Sequence, residues 1–401
     1  MIRARIQGMI FLPALIAAFA TWSLPPGRAG EIAAQDQSSS VRFAFGGNAA
    51  EIPGEFLDNL VFLPVRIGNG QPSGFLLDST VGKTSIAPGR AVELGFAAEG
   101  PAALGLPGVQ VSFSSLPAIA NDHFAAQVGR RYQGALGNDF LASVVVELDY
   151  GRQTVRLYDP AAYKYSGTGT GFPLKFYAGQ PIIHAKIVLP GQKAREGEFV
   201  VNTGLAASLV IFEKFAEGHH LFSAHLKTMQ ARDPRINNGD GIVIGRPKEF
   251  QIGDYTVEGA IAVFSPTGPA EHSDPEIAGE IGGAILRRFT VIFDYPHRQL
   301  ILAPNLRIHE LEQEDKSGLA VIAKGPGLRQ FEISSVLPGT PAASAGIQKG
   351  DVIAGIDEDA AADLTLVQVR ELFRQTSQKY KLTIERSGQT LQISLQTRRL
   401  L

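Results

Sequence analysis

At 401 residues, with 44% hydrophobic content and a net charge of −2, the chain has apolar surface enough for two or three cores and no global positive field to hold nucleic acid or anionic lipid. It has no cysteine, which excludes disulfides, thiolate zinc sites and a nucleophilic cysteine. The 44 glycines and 24 prolines are spread without a short period, the pattern of a mainly β chain with many turns.

Residues 1–30 read as a signal peptide. Arg3 and Arg5 precede an apolar stretch from Met9 to Trp22, shorter than the ~20 residues that span a bilayer, and Pro25, Pro26 and Gly27 follow. Export is the expectation, periplasmic or secreted; an uncleaved segment that anchors the chain to a membrane is the alternative, since no Ala-x-Ala cleavage site stands out. Residues 31–54 read as a linker.

From 55 to 305 the chain repeats itself, as lobe 1 (55–165) and lobe 2 (166–305). The first copy holds Phe75-Leu76-Leu77-Asp78-Ser79-Thr80, then Gly134-Ala135-Leu136-Gly137, then Val144 to Asp149-Tyr150. The second holds Phe199-Val200-Val201-Asn202-Thr203-Gly204, then Gly279-Glu280-Ile281-Gly282, then Phe289 to Asp294-Tyr295. Gly137 to Gly282 and Asp149 to Asp294 are each 145 residues apart and Asp78 to Asn202 only 124, so the second copy carries about 21 extra residues between Leu205 and Gly279. Each copy opens with an apolar run that delivers a polar residue, as a buried strand does at its end, and closes with a hairpin turned at Gly151-Arg152 or Pro296-His297. A long unit present only twice is a duplicated lobe, with a pseudo-two-fold axis between the copies.

This ordered pair resembles the pepsin/retropepsin-like aspartic proteases of the bacterial type. Their pattern is two apolar-apolar-Asp-Thr/Ser-Gly loops, each crossed by an apolar-apolar-Gly strand. The matches are the Asp78 and Asn202 loops with Gly137 and Gly282, and Thr84 and Ser208 stand six residues on, where the family often has Thr or Ser. The resemblance implies a two-lobed β-barrel domain whose cleft is lined by Asp78, Ser79, Thr80, Asn202, Thr203, Gly204, Gly137 and Gly282, with Ser79 and Thr203 cross-linking the loops.

Aspartic protease chemistry needs two carboxylates that share one proton, one activating water and the other donating to the scissile carbonyl. Asp78 supplies one; Asn202 cannot titrate in this range and does not supply the other. Thr80 stands where the family has Gly, and a β-branched residue there is expected to strain or reshape the turn. Asp58 and Asp122 are the neighbouring carboxylates offered as substitutes, and Asp78 also reads as a buried carboxylate tied to turn amides. His219, His220 and His225 lack metal-ligand spacing and read as loop histidines, so no metal or other cofactor is expected. Arg287-Arg288 reads as a solvated start of a strand. Asp233-Pro234-Arg235 and Asn237 to Gly241 read as turns in the longer lobe, where a flap-like hairpin is also placed.

His309 to Lys316 is polar and reads, within a linker over 306–316, as exposed. Residues 317–399 then hold Ser317-Gly318-Leu319-Ala320-Val321, a strand Phe331 to Val336, the block Pro338 to Ile347, Gly350-Asp351-Val352-Ile353, a helix from Leu364 to Phe373, and strands Tyr380 to Ile384 and Leu391 to Leu395. The order of these blocks resembles a bacterial PDZ domain, an α+β fold. The resemblance implies capture of a polypeptide or a protein C-terminus by strand addition, with Gly318, Leu319, Ala320 and Val321 as the carboxylate loop; an alternative is a groove blocked by the chain itself.

Three functions remain open: an exported polypeptide-binding pseudoprotease, an active endopeptidase whose PDZ domain selects substrates, and a structural module of the cell envelope.

Overall fold

The computed structural model describes residues 39–96, 100–121, 123–222, 226–231, 242–265 and 277–401. The segment 1–30 read as a signal peptide lies outside them, as do Asp122, His225 and the turns proposed at 233–235 and 237–241. The described chain is mainly β. Its described residues form two compact units, one of Asp315–Leu400 together with residues 123–131, the other of residues 39–121 and Tyr132–Glu314.

The larger unit is built twice from one plan. In its first half strands β1 (Ser39–Phe43), β2 (Ala49–Pro53), β3 (Leu60–Ile67), β4 (Ser73–Leu77), β5 (Ser85–Ile86), β6 (Gly134–Leu136), β7 (Val145–Asp149) and β8 (Thr154–Tyr158) follow in order. The second half runs through β9 (Thr170–Pro173), β10 (Gln180–Val188), β11 (Arg195–Val201), β12 (Leu209–Phe212), β13 (Ile277–Ile281), β14 (Phe289–Asp294) and β15 (Gln299–Pro304). In each half the strand that ends on the candidate residue pairs parallel with a crossing strand, β4 with β6 and β11 with β13. The crossing strand also pairs antiparallel with the strand after the loop, β5 or β12. The ends of β4 and β11 next to the loops, Phe75–Leu77 and Phe199–Val201, are apolar and buried, which is why they read as continuous hydrophobic runs.

The halves meet in one six-stranded sheet, ordered β9-β15-β14-β7-β8-β2. At its centre β7 and β14 are antiparallel, with Val146 opposite Phe293, Glu147 opposite Ile292 and Leu148 opposite Val291. Asp149 and Asp294 end equivalent strands, and each accepts from the amide three residues on, Arg152 N at 2.9 Å and His297 N at 3.2 Å.

At four places the structure departs from what the sequence leads one to expect. Residues 39–53 are not linker: β1 pairs with Val109–Phe113, and β2 pairs with β8 as β9 pairs with β15, burying Ile52 completely. The repeated unit therefore includes an outer strand. Nor is 306–316 an exposed linker, since Glu312 accepts from Ile261 N at 2.8 Å and Glu314 is buried against Arg246 at 2.7 Å. Arg288 is fully buried and not a solvated strand start; its guanidinium donates to Glu258 O at 2.8 Å. Residues 123–131 fall outside lobe 1, in the other compact unit.

That unit carries its own core around Val321, Phe331, Ile333, Val369, Phe373 and Ile384. Its sheet is ordered β16 (Leu319–Lys324), β17 (Gln330–Val336), β18 (Val352–Ile356), β19 (Lys379–Arg386), β20 (Gln389–Gln396), so β16 is an edge. Three short helices complete it, α1 (Phe124–Val128), α2 (Pro341–Ser344) and α3 (Leu366–Arg374), with α1 and α3 both against β16. The predicted helix from Leu364 starts two residues later because Thr365 caps it, its hydroxyl accepting from Gln368 N at 3.2 Å while Gln368 reaches back to Thr365 N.

Candidate functional site

Two loops, one from each lobe, are locked together. Ser79 N donates to Thr203 Oγ1 and Thr203 N to Ser79 Oγ, both at 3.0 Å. Each hydroxyl then donates onward across the junction, Ser79 Oγ to Val201 O at 2.6 Å and Thr203 Oγ1 to Leu77 O at 2.8 Å. Ser79 and Thr203 are fully buried, so every one of these bonds forms out of water and none can be replaced by solvent. The expected cross-link between the loops is present, and it brings Asp78 and Asn202, one residue earlier in each loop, to the same junction.

The crossing strands support both positions alike. Asp78 N donates to Leu136 O at 3.0 Å and Asn202 N to Ile281 O at 2.9 Å. Gly137 N is held by Thr84 Oγ1 at 3.1 Å, and Gly282 N by Ser208 O at 2.8 Å. Thr84 and Ser208 are fully buried and each hydroxyl donates to a carboxylate, Thr84 to Asp139 at 2.6 Å and Ser208 to Glu312.

Asp78 Oδ1 accepts from Thr80 N at 2.9 Å and Thr80 Oγ1 at 2.7 Å. The expected strain at Thr80 is absent: its φ is not left-handed, and its hydroxyl serves as a ligand to the carboxylate. Gly204 does need to be glycine, for space. A Cβ there would lie 2.3 Å from Asp78 Oδ2, so the second loop approaches the carboxyl more closely than any side chain permits. Burial raises the pKa of Asp78 against the opposing effect of the Thr80 bonds.

Asn202 is fixed at both ends of its amide. Its Oδ1 accepts from Gly204 N at 2.8 Å and its Nδ2 donates to Glu280 Oε2 at 2.7 Å. Glu280 is 3% exposed. Burial pushes its carboxyl up to about 7; the Asn202 bond opposes that rise and the charge of Asp78 adds to it. Glu280 is thus the second carboxyl of the site. It occupies the position that Ala135 holds in lobe 1, and that departure from the repeat was its one signal in the sequence. Asp58 sits instead in the turn before β3, with a left-handed φ of 47°. His219 packs on the Phe215 ring at 4.4 Å.

Glu280 gives the fold a pH dependence of definite sign. From its usual 4.5 up to about 7, the folded chain keeps a proton that the unfolded chain has released. Stability from this group is therefore fully present below that window and is lost as pH rises through it. Glu280→Gln keeps an acceptor for Asn202 and removes the titration. The urea midpoint of the variant should fall less than that of the wild type between pH 5 and pH 7.5; equal falls would remove Glu280 as the cause.

In the C-terminal unit, Gly318 lies in the turn before β16, and Leu319, Ala320 and Val321 lie in the strand itself. The amides that open this segment are already engaged. Ser317 N and Gly318 N donate to Asp315 Oδ1 at 2.9 and 2.6 Å, and Leu319 N donates to Ser317 Oγ at 3.0 Å. Burial raises the Asp315 carboxyl to about 6 against these bonds. An internal carboxylate thus uses part of the loop expected to bind a ligand's terminus. Arg370, on α3, donates to Val321 O at 3.0 Å.

The PDZ family model matches residues 309–385. From Asp315 onward this match falls on the C-terminal unit, which therefore carries a PDZ domain. Among solved structures, a photosystem II D1 C-terminal processing protease is similar at 27% identity over 21% of this chain, with a TM-score of 0.20; the chain spans only 23% of that one. An aspartic proteinase from Irpex lacteus is similar at 13% identity, over 64% of this chain and 98% of that one, with a TM-score of 0.41. No curated protein matches the chain.

Proposed function

We propose that this is an exported protein that binds extended polypeptide, between its two lobes and at its PDZ domain, without cutting it by the two-aspartate route. One observation carries this reading: the residue opposite Asp78 is an amide held at both ends, by Gly204 N and by Glu280. Such a group orients a carbonyl or an amide of a bound chain but passes no proton. Polypeptide is the fitting ligand because PDZ domains take extended segments beside an edge strand and a helix. Export rests on the basic and apolar character of residues 1–30.

Glu280 favours a second reading, an active endopeptidase. A buried carboxyl that holds its proton near neutrality, in the field of Asp78, supplies the titratable partner that Asn202 does not. Turnover of unfolded casein and of a mixed peptide library between pH 4 and pH 8 separates the two. Binding without cleavage is the expected result. Cleavage that disappears in both Asp78→Ala and Glu280→Gln would establish the endopeptidase and overturn the first reading.

A further inference from the structure

The edge of the PDZ sheet is covered by the chain's own residues. In β16 every residue but Lys324 is buried, although an edge strand ordinarily leaves a row of backbone groups open to solvent. Helix α1 lies against this strand. Its C-terminal end is clamped by the Arg370 guanidinium, which donates to Gln127 O at 2.7 Å as well as to Val321 O, and so joins α1, α3 and β16 through one side chain. Gly129 caps α1 with a φ of 72°, and a Cβ there would stand 2.8 Å from Leu366 Cβ, at the first turn of α3. Past the cap, Arg131 donates to Pro326 O at 2.5 Å, and Phe124 at the other end is 5% exposed. These are the two walls, strand and helix, between which a PDZ ligand is held.

We infer that residues 123–131 are the built-in occupant of the PDZ groove, and that an outside peptide binds there only by displacing them. The inference rests on the peptide-binding reading of the PDZ domain and adds its regulation. An outside peptide pairing along β16 needs the edge that α1 covers, so its apparent affinity is scaled down by the small fraction of molecules with α1 undocked.

The test uses the full chain with 122–131 replaced by a Gly-Ser linker of equal length, and a second chain carrying only Gly129→Val, which has no room for docking against Leu366. The probes are a labelled peptide of sequence DHFAAQVGRR and a pool of peptides with apolar free C-termini. Thermal melts confirm which chains are folded. Both variants should bind the pool about tenfold or more tighter than the wild type, and the replaced chain should bind DHFAAQVGRR where the wild type does not. Equal affinity of all three chains for both probes overturns the inference, as does failure of the replaced chain to bind DHFAAQVGRR. If that chain binds DHFAAQVGRR but none of the pool, the occupant stands and it is the peptide-binding function that falls.

Discussion

Asn202→Asp alone should yield no protease and a less stable fold, whereas Asn202→Asp with Glu280→Ala should cleave unfolded casein at acidic pH. In the single variant a carboxyl oxygen replaces the Nδ2 that donates to Glu280 at 2.7 Å, so two carboxyls face each other with a third, Asp78, in the same junction. Loss of a buried donor costs about 1–3 kcal/mol, and more where charge is left unpaired. The cost should be largest at pH 8 and shrink at pH 5, where the surplus protons are bound without penalty, and urea midpoints at the two values measure it. Removing Glu280 copies Ala135 of lobe 1 and leaves Asp78 and the carboxyl introduced by Asn202→Asp with the supports that a proton-sharing pair requires. Casein cleavage by the single variant would show that Asn202 and Glu280 are not a matched pair.

Thr203→Val should cost about 3 kcal/mol, read as a shift in the urea midpoint at constant slope. The shape is kept, but Ser79 N loses its acceptor and Leu77 O its donor in a place that water does not reach. Ser79→Ala should cost a similar amount by stranding Thr203 N and Val201 O. The two changes together should cost clearly less than the separate effects combined, because each alone already breaks the shared ring of bonds. Strict additivity would mean that the lobes are joined elsewhere.

The loops themselves were legible because a buried strand ending on a polar residue is unusual, and finding it twice, each time followed by the same crossing strand, fixed their order. The PDZ blocks were legible for a similar reason, since their turns need particular residues. Glu280 was not, because one Glu among apolar residues reads as an ordinary outward position until Asn202 is found beside it. Arg288 misled by its charge: its guanidinium satisfies a backbone carbonyl inside the fold, a role that depends on a partner 30 residues away. Docking of α1 into the PDZ groove joins Gln127 to Arg370 across 243 residues, and no local pattern reports such a contact. Glu312 and Glu314 looked solvated because their partners, Ser208, Ile261 and Arg246, lie far back in the chain.

The central strand pair also decides which copy of the repeat each half recognises. Glu147 and Ile292 are equivalent residues of the two copies, and they face each other where the pseudo-two-fold axis crosses the sheet. If a first half met another first half, two Glu147 carboxylates, each held by its own Arg156 at 2.8 Å, would stand opposite each other, a less favourable pair than Glu147 with the Ile292 alkyl chain. The natural pairing is therefore favoured over pairing of two first halves. A fragment ending at residue 165 should remain monomeric in sedimentation, and Glu147→Ile should let it pair with itself, setting two Asp78 loops side by side.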